Sequence, residues 1–276
     1  MDRLAALLRH FQLSARLFHA GPMCGRQPFD GASGFIHLLR AGTVEVRSAV
    51  HDGWRIDTPS VIFYPRPAAH LFVTPADAPV DLVCAAVDLG SAAGNPLAMA
   101  LPPALHLPLA QVPGLGATLE LLFAEAAERH CGWQAAVDRL CELLLIQLLR
   151  HLMDAGEASA GLLAGLADAR LAKAISAVHE RPAAPWSLDA MAAAAGMSRA
   201  RFAVKFRDTV GMTPGNYLSE WRLGLAQSLL RRGKPVNVVA NEVGYANASA
   251  LSRVFAARKG VPPTTWAKQI IAEENG

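Results

Sequence analysis

Two kinds of side chain in this sequence have types and spacings suited to chemistry. Thiols and imidazoles lie in the first third, and arginines lie on short helical patterns in the last. Cys24 sits in the run Gly21-Pro22-Met23-Cys24-Gly25, close to His19 and Arg26. Nearby positive charge there favours a thiolate, and a loop leaves it reachable. Cys84 ends Asp81-Leu82-Val83-Cys84 and alternates with Leu82 and Ala86, a setting in which cysteine is more often a small packing residue. His19, His37 and His70 with Cys24 offer a mixed nitrogen–sulfur metal set, set against the commoner role of barrel histidines as hydrogen-bonded core or rim residues. The cysteines at 24, 84, 131 and 141 form no CxxC pair and no dense disulfide framework. No nucleophile triad or phosphate-binding glycine loop accompanies them.

The arginines belong to a helical unit that occurs twice between about Leu171 and Lys268. Gly196-Met197-Ser198 leads into Arg199–Val210, then Gly211-Met212-Thr213-Pro214 and Tyr217. Gly244-Tyr245-Ala246-Asn247 leads into Ala248–Lys259, then Gly260-Val261-Pro262-Pro263 and Trp266. Phe202 answers to Leu251, Phe206 to Phe255 and Tyr217 to Trp266, each 49 residues on. Upstream of the turn, Leu188 answers to Val236 and Gly196 to Gly244 at an offset of 48, so the second copy carries one extra turn residue. Ser187 and Ser198 stand where the first amides of a helix need acceptors. Leu188, Met191, Ala192 and Ala195 predict one buried face, and Phe202, Val204, Phe206 and Val210 another. Short helix, glycine turn, second helix is the arrangement that lays a helix in the major groove.

Charge agrees with this. Residues 170–276 hold 15 Lys/Arg and 7 Asp/Glu, a net of +8, whereas residues 1–169 hold 11 and 16, a net of −5. Such asymmetry is expected when one part of a chain meets phosphate and the other does not. The 276 residues are 52% hydrophobic and 18% charged, which allows two buried cores and excludes disorder. Arg3, Arg9 and Arg16 interrupt any signal-peptide pattern, and the longest apolar run, Leu143–Leu149, is too short to span a bilayer. A soluble, cytoplasmic protein without membrane contact is expected.

The C-terminal segment resembles the DNA-binding domain of AraC/XylS-type transcription regulators, in which a linker helix joins two helix-turn-helix units. Gly244-Tyr245, Phe255 and Gly260-Val261-Pro262-Pro263 are its clearest parts, and the resemblance covers roughly the last 100 residues. It implies a regulator rather than an enzyme, with double-stranded DNA and RNA polymerase as partners and no cofactor. Arg199–Val210 and Ala248–Lys259 would lie in successive major grooves. On the first, Ala200 and Ala203 stand where members of this family often carry polar base readers. They offer only apolar contact to thymine methyls, leaving hydrogen-bonded readout to Arg199 or Arg201. On the second, Asn247, Ser249, Ser252 and Arg253 face outward, and Arg253 matches a DNA-contacting arginine of the family. Ser198, Ser249, Arg207, Arg222 and Lys259 are phosphate candidates; the plain alternative for each arginine is a solvated surface charge.

Met1–Leu17, with Leu4, Leu7, Leu8, Phe11 and Leu13, predicts a short amphipathic helix packed on its own domain. Phe35–Arg40, Thr43–Val46, Val61–Tyr64 and Val80–Val87 predict a small antiparallel barrel or sandwich. Asp57–Pro65 followed by His70 resembles the second half of a cupin motif. The other half is poor: His37 is single where metal-binding cupins usually offer two histidines, and Glu45 follows at a longer interval than that pattern has. Asn95–Pro113 reads as an irregular crossing segment. Helices then start at Leu115 and cover Trp133–Met153, and the apolar surface of the second exceeds one stripe, which predicts a homodimer through residues 117–153. Cys131 and Cys141 read as packing residues of this hairpin. The expected fold is α+β: a cupin-like β-barrel with a helical hairpin over residues 1–153, an Ala/Gly-rich linker over 154–168, and an all-α double helix-turn-helix domain over 169–276.

Phe18–Gly25 with Asp81–Cys84 resembles a branch of AraC-type regulators with a cupin-like sensing domain, some members of which respond to reactive chlorine through a pair of cysteines. This implies redox sensing at Cys24 and Cys84, by oxidation of the loop thiol to a sulfenic acid and its resolution by the strand thiol. A metal at His19, His37 and His70 and a small organic ligand in the barrel stay open as other signals. A metal-dependent cupin enzyme fused to a DNA-binding domain is the rival class, opposed by the incomplete histidine set and the missing carboxylate.

Overall fold

The computed structural model describes residues 2–11, 13–90, 95–112, 114–155 and 161–274. These fall into two compact units, one of residues 13–89 and 101–155, the other of residues 1–12, 90–100 and 156–276.

The first unit is a two-sheet barrel with a helical hairpin. β1 (Ser14–Met23), β8 (Val80–Asp88), β3 (Gly34–Ala41), β6 (Ser60–Tyr64) and β9 (Leu105–Pro108) form one sheet in that order. β2 (Arg26–Phe29), β7 (His70–Val73), β4 (Val44–Ser48) and β5 (Trp54–Ile56) form the other, and all pairings are antiparallel. Alternate residues of both sheets, among them Phe35, Leu39, Val46, Ile62, Tyr64, Phe72, Leu82 and Cys84, make the interior. β3 and β8 are buried on both faces, which is why they read as continuous apolar runs. Helices α3 (Leu115–Glu128) and α4 (Trp133–Asp154) pack on the β1 side, where Asp138 accepts from the Leu17 amide at 3.0 Å.

Several expectations are corrected here. The predicted N-terminal helix is only α1 (Ala5–His10), and Leu17 lies in β1 instead. The segment expected to be irregular holds α2 (Pro96–Ala100), β9 and a 3-10 turn at Leu109–Gln111; Pro113 lies outside the described residues.

The second unit is all helical: α1, α2, α5 (Leu162–Ala167), α6 (Leu171–Glu180), α7 (Leu188–Ala194), α8 (Arg199–Val210), α9 (Pro214–Arg231), α10 (Val236–Val243), α11 (Ala248–Lys259) and α12 (Pro263–Glu274). α1 packs within this unit rather than on the barrel. Phe11 meets the Trp221 ring edge-on at 5.5 Å, Arg3 donates to the Leu166 carbonyl at 2.7 Å, and the Ser228 hydroxyl donates to the His10 carbonyl at 2.9 Å. Trp221 also carries His179, stacked at 3.6 Å, whose Nε2 lies 2.5 Å from the Tyr217 hydroxyl. Of the stretch expected as linker, residues 156–160 lie outside the described residues, and α5 buries Leu162, Leu163 and Leu166.

Candidate nucleic-acid interface

Both helix-turn-helix units are built by the same local chemistry. The Ser187 hydroxyl accepts from the Ala190 amide (3.1 Å) to open α7, the Thr213 hydroxyl accepts from Asn216 (3.3 Å) ahead of Pro214 to open α9, and Asn247 Oδ1 accepts from Ala250 (2.8 Å) to open α11. Ser198 holds the same place before α8 but makes no capping bond, so its exposed hydroxyl stays outward. Each second helix is anchored by an aromatic ring on the helix that follows: Phe206 on Tyr217 at 5.4 Å, and Phe255 on Trp266 at 5.7 Å.

The turn glycines differ. At Gly244 (φ +89°) a Cβ would lie 2.7 Å from both Ala183 Cα and the Arg222 guanidinium. Arg222 crosses here because its Nε donates to the Pro182 carbonyl at 2.9 Å and its Nη2 to the Ala184 carbonyl at 3.0 Å. This runs against the expectation of Arg222 as a phosphate contact, since these two donors are turned into the fold.

The remaining candidates on each second helix are exposed or half-buried. On α8 these are Arg199, Arg201 and Arg207, with Ala200 exposed and Ala203 half-buried. Val204, expected inside with Phe202 and Phe206, is 52% exposed, because it falls on the opposite side of the helix from those rings. Arg199 pairs with Asp189 at 3.5 Å and Arg207 with Asp208 at 3.6 Å. On α11, Asn247, Ser249, Arg253 and Lys259 are exposed and Ser252 is half-buried; the Asn247 oxygen is engaged in the cap, leaving its amide nitrogen outward. Sequence reasoning missed Arg258, which pairs with Glu220 at 3.1 Å; no local signal marks a partner 38 residues away.

In the barrel, strand register sets His19 opposite Cys84 and Cys84 opposite His37, one lateral row across β1, β8 and β3. His37 Nε2 lies 2.8 Å from His70 Nε2, and His70 Nδ1 donates to the Ala68 carbonyl at 2.9 Å. His70 therefore accepts and His37 donates. The His70 ring is stacked on Tyr64 at 4.1 Å and Phe29 at 4.5 Å. Burial holds both imidazoles neutral, pulling His37 well below its usual pKa and His70 down to about 4. Two imidazoles on a tetrahedral zinc stand about 3.3 Å apart, given Zn–N bonds of about 2.0–2.1 Å, so the pair as placed is hydrogen-bonded to each other. Among the described residues, no group of three or more His, Cys, Asp or Glu is assembled for a metal.

The two sensing candidates are unlike each other. Cys24 is exposed, whereas Cys84 is fully buried and burial raises its thiol well above the usual range. Cys24 follows β1 five residues beyond His19, the partner of Cys84. At ~3.3 Å per residue the two α-carbons stand about 16 Å apart, against about 4.4–6.8 Å for a disulfide.

A family model described as "Cupin" matches residues 2–154, and one described as "Helix-turn-helix domain" matches residues 191–269. A putative AraC-like transcription regulator of Streptomyces lividans is 36% identical over 194 residues, covering 68% of this chain and 64% of that protein. Another, of Streptomyces antibioticus, is 38% identical over 173 residues, 61% of this chain and 57% of that protein. The chain thus spans less than two thirds of the length of these relatives. The RCS-specific HTH-type transcriptional activator RclR of Escherichia coli K12 is 26% identical over 240 residues, 85% of this chain and 84% of that protein. No helix among the described residues is long and apolar enough to cross a membrane.

Proposed function

We propose that this chain, which belongs to the AraC-type regulators with an N-terminal cupin domain, binds double-stranded DNA sequence-selectively and regulates transcription from it. One observation carries the proposal: α8 and α11 are anchored alike and each carries exposed polar and basic groups. Arg253, Ser252 and the Asn247 amide would meet base edges, with Arg199 and Arg201 on the other helix. Ser198, Ser249, Arg207 and Lys259 would meet phosphate. The chain would act in the cytoplasm beside RNA polymerase, without catalysis, as a homodimer through α3 and α4, where Leu121 and Leu143 are 55% and 39% exposed.

For the signal, we favour an oxidant at Cys24, the thiol that solvent reaches; the E. coli relative's name carries the same chemistry. Hypochlorous acid would convert the Cys24 thiolate to a sulfenic acid with release of chloride. Resolution by Cys84 would require the end of β1 to move by about 10 Å to reach disulfide range.

The test is a gel-shift titration on the DNA upstream of its own gene with excess non-specific competitor, before and after one equivalent of hypochlorous acid. Binding that competitor abolishes overturns the regulator reading. Selective binding untouched by oxidation, with Cys24 shown modified by mass mapping, overturns the oxidant reading alone.

A further inference from the structure

Val204 is an unexpected side chain for the outer face of α8. It is β-branched, stands mid-helix where such residues have no propensity advantage, and is 52% exposed. Ala200, one turn earlier, lies beside it. Together with Arg201, Lys205, Asp208 and Thr209 they line one shallow concavity. Of the charges bordering it, Lys205 pairs with Asp168 at 2.5 Å and Asp208 with Arg207 at 3.6 Å, while Arg201 stands exposed at one edge. The centre of this face, Ala200 and Val204, presents methyl groups, with Arg201 as the basic group at its edge. The 49-residue offset puts Ser249 in the place of Ala200 and Arg253 in the place of Val204, both exposed on α11. Two helices built on one plan carry opposite chemistry at their centres.

Resting on the DNA-binding reading above, we infer that α8 reads thymine through an apolar ridge of Ala200 and Val204, while α11 reads guanine through Arg253. In the major groove only thymine offers a methyl, which apolar side chains take, and guanine O6 and N7 take an arginine fork. The domain's net charge of +8 supplies the attraction to the backbone that the ridge itself lacks. The preferred duplex is then unequal: a thymine-bearing segment lies about 10 bp from a guanine-bearing one.

The experiment selects binding sites from random duplex with the full chain and with Val204→Ala and Val204→Arg. Thymines of the selected site are then replaced singly by uracil, which lacks only the methyl. In the wild type, uracil in one segment should weaken binding about fourfold per methyl lost. Val204→Ala should reduce that sensitivity at the thymine facing position 204 and leave the guanine segment unchanged, and Val204→Arg should shift that position toward guanine. Val204 is on the surface, so far-UV circular dichroism of both variants should match the wild type. A selected site indifferent to uracil, or an unchanged preference in Val204→Ala, overturns the inference and leaves DNA binding standing. Failure to select any site removes the DNA-binding reading, and this inference with it.

Discussion

Gly196 and Gly244 end corresponding helices at φ +63° and +89°. Alanine at either must hold a left-handed conformation at roughly 1–2 kcal/mol. Their surroundings differ: a Cβ at Gly196 meets nothing within 4 Å, whereas at Gly244 it collides with Ala183 and Arg222. Relief drives Arg222 off the Pro182 and Ala184 carbonyls. Hydrogen bonds from a charged donor are worth roughly 1.5–3 kcal/mol each. Arg222 is only half-buried and water recovers part, so about 2 kcal/mol is a fair figure for the pair. Gly196→Ala should therefore cost about 1–2 kcal/mol and Gly244→Ala about 3–4 kcal/mol. At ~4 °C per kcal/mol for a domain of this size, thermal denaturation should separate the two variants by roughly 8 °C. Arg222→Ala should itself destabilise by about 2 kcal/mol and shrink the added cost of Gly244→Ala. Equal losses for the two alanines would refute the claim that the path of Arg222, and not the turn alone, demands glycine at 244.

Other outcomes follow from the same structure. Burial, then His10, pulls His179 down to about 3, and burial pulls His70 to about 4. The unfolded chain protonates both near 6.5, so their contribution is complete above that pH and is lost as pH falls toward 4 and then 3, by up to about 1.4 kcal/mol per pH unit for each. His179→Gln should flatten this slope in pH-dependent denaturation, and a slope that persists unchanged would contradict it. Burial raises Cys141 to about 12 and Cys84 higher than usual, while Cys24 and Cys131 are exposed. Alkylation of the folded chain should thus mark 24 and 131 and spare 84 and 141 until unfolding; early labelling of Cys84 would be fatal to this account. Leu143→Glu should lower the mass in sedimentation from dimer to monomer with little change in melting temperature, and an unchanged mass would rule out the α3–α4 interface.

The helix-turn-helix pair was legible because its signals are local: glycines at turns and rings at fixed spacing, twice over. Local pattern misleads at Val204, an apolar residue in an apolar series that the helical period nonetheless puts opposite Phe202 and Phe206. Four strands were legible as apolar runs, but β1 and β2 were not, since His19-Ala20-Gly21-Pro22 and Arg26-Gln27-Pro28 lack the usual strand residues. The closure of His37 on His70 depends on bringing β3 and β7 together from opposite sheets, and the anchoring of Arg222 depends on a loop 38 to 40 residues away. Such facts are set by register and packing, which residue spacing alone does not encode.

The most direct measurement for the DNA-binding account is hydroxyl-radical footprinting of a selected duplex with the wild type and Arg253→Ala. Two protected patches on one face of the helix, about 10 bp apart, are expected. Arg253→Ala should weaken binding roughly 5- to 150-fold and lose the patch under α11 first, as removal of a bidentate base contact requires. A single continuous patch, or protection indifferent to both sequence and Arg253, would contradict two recognition helices reading successive grooves.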